Sequence, residues 1–167
     1  SVNPLKQGFD YYYGYLCQIL AHNHCPEYLM ENDEKVYLDN KVVWDDTSSW
    51  TKGLGSYPIE RNQFSQELFT AKALSFIEEN KDRPFFLYLP SIIPHVNGEA
   101  PEGKWASDIP SFEPYENEEW SEEHKGYAAM ITYLDADVGK IVNKLRELGL
   151  EENTLIIFSS DNGGAST

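Results

Sequence analysis

The stretch Thr154-Leu-Ile-Ile-Phe-Ser-Ser-Asp161-Asn162-Gly163-Gly164 constrains the chain most, because an apolar run ends abruptly there at two oxygen-bearing side chains. Apolar residues rich in β-branched and aromatic types, without polar alternation, suit a parallel strand covered on both faces. Gly163-Gly164 then allows a sharp turn. Ligands of open α/β sheets gather beyond the carboxyl ends of such strands. A carboxylate beside an amide oxygen suits a hard cation such as Ca²⁺ or Mg²⁺, which takes oxygen ligands. Two ligands do not complete a site, and Asp-Asn-Gly-Gly is equally the composition of an ordinary turn.

Composition bounds the alternatives. The 167 residues, 41% of them hydrophobic and 14% aromatic, are enough for one domain with a core. With 13 basic against 28 acidic residues the formal charge is −15, so the surface repels phosphate backbones, and nucleic acid is not an expected partner. A sulfated or phosphorylated substrate is repelled too, unless local cations or a bound metal receive it. No apolar run approaches the roughly 20 residues of a membrane span. The chain opens Ser1-Val-Asn-Pro, with neither a signal peptide nor an initiator Met, and does not fix its compartment. Cys17 and Cys25 form no Cys-x-x-Cys pattern and are expected as buried free thiols.

Along the chain, residues 1–33 are aromatic-rich and read as loops with one short helix. His22 and His24, two apart, are expected to pack or hydrogen-bond rather than share a metal. Val36-Tyr37-Leu38 and Val42-Val43-Trp44 flank Asp39-Asn40-Lys41 as in a hairpin with a tight turn. Residues 45–62, including Thr47-Ser48-Ser49, read as a long surface connection. A helix starts with Ser65 as N-cap and carries Phe69, Ala73, Phe76 and Ile77 as a stripe ending near Asn80. Pro84-Phe-Phe-Leu-Tyr-Leu-Pro90 is a second buried-strand run, which leads through Ser91-Ile-Ile-Pro94 to His95. His95 thus occupies a strand's carboxyl end, as Asp161 does.

Residues 97–123 are acidic and loop-like, a solvated face. A long helix follows from about Ser121 to Leu148, with Tyr127, Met130, Ile131, Leu134, Val138, Ile141, Val142 and Leu145 at helical spacing and Gly149 as its stop. Asp135 and Asp137 point to different faces of it and read as surface or polar-packing groups. The order helix, strand, loop, helix, strand describes a layered α/β sheet with right-handed crossovers.

Three stretches resemble the sulfatases of the arylsulfatase type, in the alkaline-phosphatase-like superfamily. They are Gly8-Phe9-Asp10 through Tyr13-Gly14-Tyr15-Leu16 with Ala21-His22-Asn23; Pro94-His95 after its apolar run; and Lys125-Gly126-Tyr127 through Leu134-Asp135-x-Asp137-Val138-Gly139, followed by Thr154 to Gly163. The resemblance spans nearly the whole chain. It implies an incomplete layered α/β/α fold, with residues 1–167 part of a single sulfatase catalytic domain.

It further implies that Asp161 and Asn162 match late Ca²⁺ ligands of the family, and that His95 matches the histidine contacting the sulfate ester or its leaving oxygen. The implied partner is a sulfated small molecule or glycan, in a periplasmic, secreted or lysosomal setting. The family's nucleophile is a hydrated formylglycine made from Cys/Ser-x-Pro-x-Arg. Neither Cys17 nor Cys25 fits that motif, and the paired aspartates that complete the calcium site are also absent. The chain is therefore expected to be an internal fragment, inert alone and prone to self-association. Val96-Asn97-Gly98-Glu99 departs from the proline that many relatives carry after the histidine, which leaves substrate preference open. The competing expectations are a phosphoesterase of the same superfamily and a non-catalytic binding module.

Overall fold

The computed structural model describes residues 3–45, 52–106 and 108–163; Thr47-Ser48-Ser49 and Gly164 of the expected loop and turn lie outside them. A 3₁₀ turn, Pro4–Gln7, leads into β1 (Tyr13–Gly14), α1 (Gln18–Ala21), β2 (Tyr28–Glu31) and β3 (Glu34–Tyr37). Then come β4 (Lys41–Asp45), β5 (Gly55–Glu60), α2 (Ser65–Asn80), α3 (Glu122–Glu147) and a second 3₁₀ turn, Glu151–Asn153. The strands form two antiparallel sheets, one ordered β1-β2-β3 and one of β4 with β5.

The hairpin expected across Asp39-Asn40-Lys41 does not form. Val36 pairs instead with Leu29, and Val43 with Tyr57, so the two strands belong to different sheets. The buried Asn40 side chain explains the parting. Its Nδ2 donates to the carbonyls of Pro26 and Gln63, both at 2.9 Å. Its Oδ1 accepts the backbone N–H of Asn62 at 2.8 Å and of Gln63 at 2.9 Å. Four backbone groups are thus satisfied by one amide, and the chain crosses from one sheet to the other rather than turning back. The segment expected as surface connection likewise contains β5.

Both long helices form where periodicity places them. In α3 the Ser121 side chain accepts the N–H of His124, capping the first turn, and Gly149 takes φ +70° just past the helix. The N-cap of α2 is Phe64 rather than Ser65. Ser65 is the first helical residue, its N–H bonded to the carbonyl of His24 at 2.9 Å. Phe69, Ala73 and Ile77 are buried along α2, as their spacing requires. Asp137 is buried on α3 and accepts from Gln66 Nε2 of α2 at 3.0 Å, a polar-packing group as expected.

The core gathers Cys25, Phe64, Ile93, Ala106, Ile109, Ala129 and Met130. It therefore joins the N-terminal segment, the start of α2, the strap of residues 91–109, and α3. Strap and helix touch backbone to backbone at Gly126, where an added Cβ would stand 2.0 Å from the Ala106 carbonyl oxygen.

The two apolar runs expected as strands of a layered sheet are extended but join no ladder among the described residues. In residues 84–90 burial alternates: Phe85 packs edge-on against Phe76 with centroids 5.7 Å apart, while Phe86 and Tyr88 face outward. Residues 155–160 are exposed throughout. A strand is completed by its neighbours' N–H and C=O groups, and neither run has such a neighbour among the described residues. Helices with small sheets fit an incomplete α/β unit, and the parallel layer is not formed within it. No helix of the described residues is long and apolar enough to cross a membrane.

Candidate functional site

His95 follows the first apolar run on a tight turn, its N–H bonded to the Ile92 carbonyl at 3.0 Å. Its side chain is exposed, and Nδ1 lies 2.7 Å from the Val96 carbonyl. A carbonyl only accepts, so Nδ1 carries the proton, which directs Nε2 away as the group available to a ligand. One face of the ring lies on His22, with centroids 4.9 Å apart and planes inclined by 11°.

His22 caps the C-terminal end of α1. Its Nδ1 donates to the Glu99 carboxylate, 2.9 Å from Oε2 and 3.1 Å from Oε1. Both partners are largely withdrawn from solvent, with side-chain exposures of 11% and 4%. Desolvation makes such a contact stronger and its loss more costly than at the surface.

His24 is wholly buried, edge-on to Phe64, and neither ring nitrogen has a hydrogen bond of good geometry among the described residues. Burial pushes its pKa down to about 4, and the imidazoles of His95 and His22 add to the effect; the nearby His95 backbone acts in the opposite sense. His24 is a neutral packing group, in line with the expectation for it.

The strap carrying His95 and Glu99 is fastened by Asn97, which is fully buried. Asn97 Nδ2 donates to the Ser56 carbonyl at 3.1 Å and to Asp108 Oδ2 at 2.6 Å. Its Oδ1 accepts the Glu99 N–H at 3.1 Å, which holds that residue in place. Burial raises the Asp108 carboxyl to about 6, while Asn97 and Arg61 pull it back. Asn23 Nδ2 donates to Ser56 Oγ at 2.9 Å, so β5 anchors both histidine-bearing segments. The thiols are free; Cys25 is buried and its pKa is pushed up to about 12 by that burial, so it is no nucleophile.

Asp161 and Asn162 stand apart, exposed, at the end of the second apolar run; Asn162 Nδ2 donates to the Gly163 carbonyl at 2.8 Å. Their oxygens are of the type a hard cation takes, yet no group of three or more His, Cys, Asp or Glu residues among the described residues could hold a metal. The fold therefore brings together His22, His24, His95 and Glu99, and the contacts of Asn162 are local. Glu99 stood out in the sequence only as part of Val96-Asn97-Gly98-Glu99 after His95, with no partner indicated. Its partner is 77 residues away, a separation no periodicity reports.

The family model described as Sulfatase matches residues 1–167. The mouse N-acetylgalactosamine-6-sulfatase is 29% identical over 98% of this chain and 28% of its own length. The N-acetylgalactosamine-6-O-sulfatase of Bacteroides thetaiotaomicron is 32% identical over 68% of this chain and 19% of its length. Mouse arylsulfatase J is 27% identical over 98% of this chain and 24% of its length. The chain thus spans about a quarter of the length of such curated relatives. With its ordered motifs and a family match running from end to end, the chain belongs to the sulfatase family.

Proposed function

We propose that this chain is part of a single catalytic domain that hydrolyses sulfate esters, with His95 as the residue meeting the ester. The observation that carries the proposal is the His95 imidazole, exposed yet held by the Val96 carbonyl and the His22 ring, within a chain the family matches throughout. A held imidazole with Nε2 directed outward is suited to donate a proton to a departing alkoxide. Asp161 and Asn162 would hold Ca²⁺ together with donors from outside the described residues. Such a cation withdraws charge from sulfate oxygens and orients the nucleophile. That nucleophile, a formylglycine, comes from sequence other than these residues, so the chain alone is inactive.

The names of the relatives support a sulfated glycan as substrate. The strongly acidic chain gives the cation a second use, since an anionic ester needs local positive charge to approach.

The test is the complete coding sequence containing this chain, co-expressed with formylglycine-generating enzyme in Ca²⁺. Wild type should hydrolyse 4-nitrophenyl sulfate or a 6-sulfated amino sugar. His95→Ala and Asp161→Ala should each lose about 100-fold or more in kcat. Ca²⁺ should raise the thermal midpoint of wild type but not that of Asp161→Ala. Cleavage of phosphate esters instead, or of neither ester by folded and correctly modified protein, would replace the proposal with a phosphoesterase or a binding module.

A further inference from the structure

His22 and Glu99 have no part in the chemistry so far assigned, yet they form a largely buried imidazole–carboxylate contact beside His95. An imidazole on one χ1–χ2 hinge can turn about two torsions, and an exposed one is ordinarily free to do so. Around His95 both are restrained. The Val96 carbonyl fixes which nitrogen carries the proton and in which direction it points. The His22 ring, nearly parallel at 4.9 Å, fixes the plane. His22 can serve as that wall only if it does not turn itself, and its Nδ1 is held by both oxygens of the Glu99 carboxylate. Glu99 in turn is held at its backbone by Asn97, whose side chain is locked between Ser56 and Asp108. Restraint thus passes from the buried strap, through Glu99 and His22, to the ring of His95.

We infer that Glu99 and His22 are positioning residues that set the plane of the His95 imidazole, and thereby the placement of its Nε2 against the ester's leaving oxygen. The inference rests on the reading of His95 given above. Misplacement of a catalytic group by about 1 Å is enough to cost roughly 100-fold in rate. Loss of either positioning residue should therefore fall on kcat, because ground-state binding of the ester is left to other groups.

The experiment uses the complete protein with formylglycine and Ca²⁺, carrying Glu99→Ala, Glu99→Gln or His22→Ala, each in wild-type and His95→Ala backgrounds. Glu99→Ala and His22→Ala should lower kcat about 10- to 100-fold with KM changed less than about threefold. In the His95→Ala background neither should cost more than about twofold, since a residue acting through His95 has nothing left to position. Glu99→Gln keeps the volume and an oxygen that accepts the His22 N–H, so it should recover most of the loss; it also keeps the test usable if the alanine variant does not fold. Losses that multiply with that of His95→Ala, a change in KM alone, or Glu99→Gln as poor as Glu99→Ala would overturn the inference.

A second readout needs no turnover. With ¹³C-labelled histidine, relaxation of the His95 ring should report one held orientation in wild type and added ring motion in Glu99→Ala; unchanged ring motion would overturn the inference. Failure of the reading itself looks different: His95→Ala would then be as active as wild type. Failure of the inference alone leaves His95→Ala inactive and the Glu99 and His22 variants active.

Discussion

Among the described residues, the strap of residues 91–106 and 108–109 and the run of residues 154–160 are both without regular secondary structure and both carry groups with chemistry to offer, yet they are opposites in burial. In the strap Ile93 is 2% and Asn97 0% exposed, whereas in the run Leu155 is 85% and Phe158 69% exposed. The polar strap is the fixed part, and the apolar run is the bare one. Burial here follows from partners, not from hydrophobicity. The Asn97 side chain satisfies three polar groups and is locked by them, while Leu155 and Ile157 are left largely exposed. The proposed site is divided along this line, with the histidine half on the fixed part and the carboxylate half on the bare one.

The largest effect that could break the comparison is a loosening of the strap from α3. Gly126→Ala forces a methyl into the Ala106 carbonyl, a backbone atom that cannot swing aside, and should destabilise by about 3 kcal/mol or more. Gly139→Ala on the same helix meets nothing within 4 Å and should stabilise by about 0.5–1 kcal/mol. Thermal and urea midpoints of the pair separate contact from helix propensity. Next in size is Asn40→Ala, which strands two N–H groups and two carbonyls between the sheets; a loss of about 2 kcal/mol is expected in urea titration.

A third test sets two buried groups against each other. The folded pKa of His24 is depressed from 6.5 to about 4, so the folded state binds fewer protons there and stability is lost as pH falls from 6.5 towards 4. The Asp108 pKa is raised from 3.8 to about 6, so its influence has the opposite sign: stability falls as pH rises from 3.8 to 6. Between pH 4 and 6 the two offset, each worth at most about 1.4 kcal/mol per pH unit. Relative to wild type, His24→Phe should remove the acid-side loss and Asp108→Asn should deepen it, as read from midpoints measured at pH 4.5, 5.5 and 7. The smallest effect belongs to the bare run. Serine at Leu155, Ile157 and Phe158 should change the stability of the 167-residue chain by less than about 0.5 kcal/mol each. Loss of folding instead would show that the run is packed.

The helices were legible because their signals are local. The apolar spacing of α2, the Ser121 cap and the Gly149 stop lie within a few residues of what they determine. Strand character was legible too, but not strand partnership. Val36 and Val43 alternate as hairpin arms do, and only the four bonds of Asn40 decide that they part. The runs before His95 and Asp161 show the same limit, since an apolar extended segment does not say which strand lies beside it. In the candidate site, His95 was singled out by its place after an apolar run together with the family resemblance, and its role is a proposal. Glu99 could not be given its partner, because a charged loop residue is ordinarily solvated and its burial against His22 arises from chain crossings remote in sequence.

Those crossings also decide how the histidine cluster comes into being. His22 meets Glu99 across 77 residues, Cys25 meets the Asp108 carbonyl across 83, and Asn97 meets Ser56 across 41. Joining the ends of a chain segment carries an entropic cost that grows only by about 0.6 kcal/mol per doubling of its length. Once His22 has met Glu99, the contact of Cys25 with Asp108 closes only a short residual loop, whereas that of Asn97 with Ser56 still closes a long one and carries a cost close to that of the first. The Cys25 and Asp108 crossing thus lies beside that of His22 and Glu99, and a loosening of the strap at Asp108 reaches the His22–His95 pair without touching either ring.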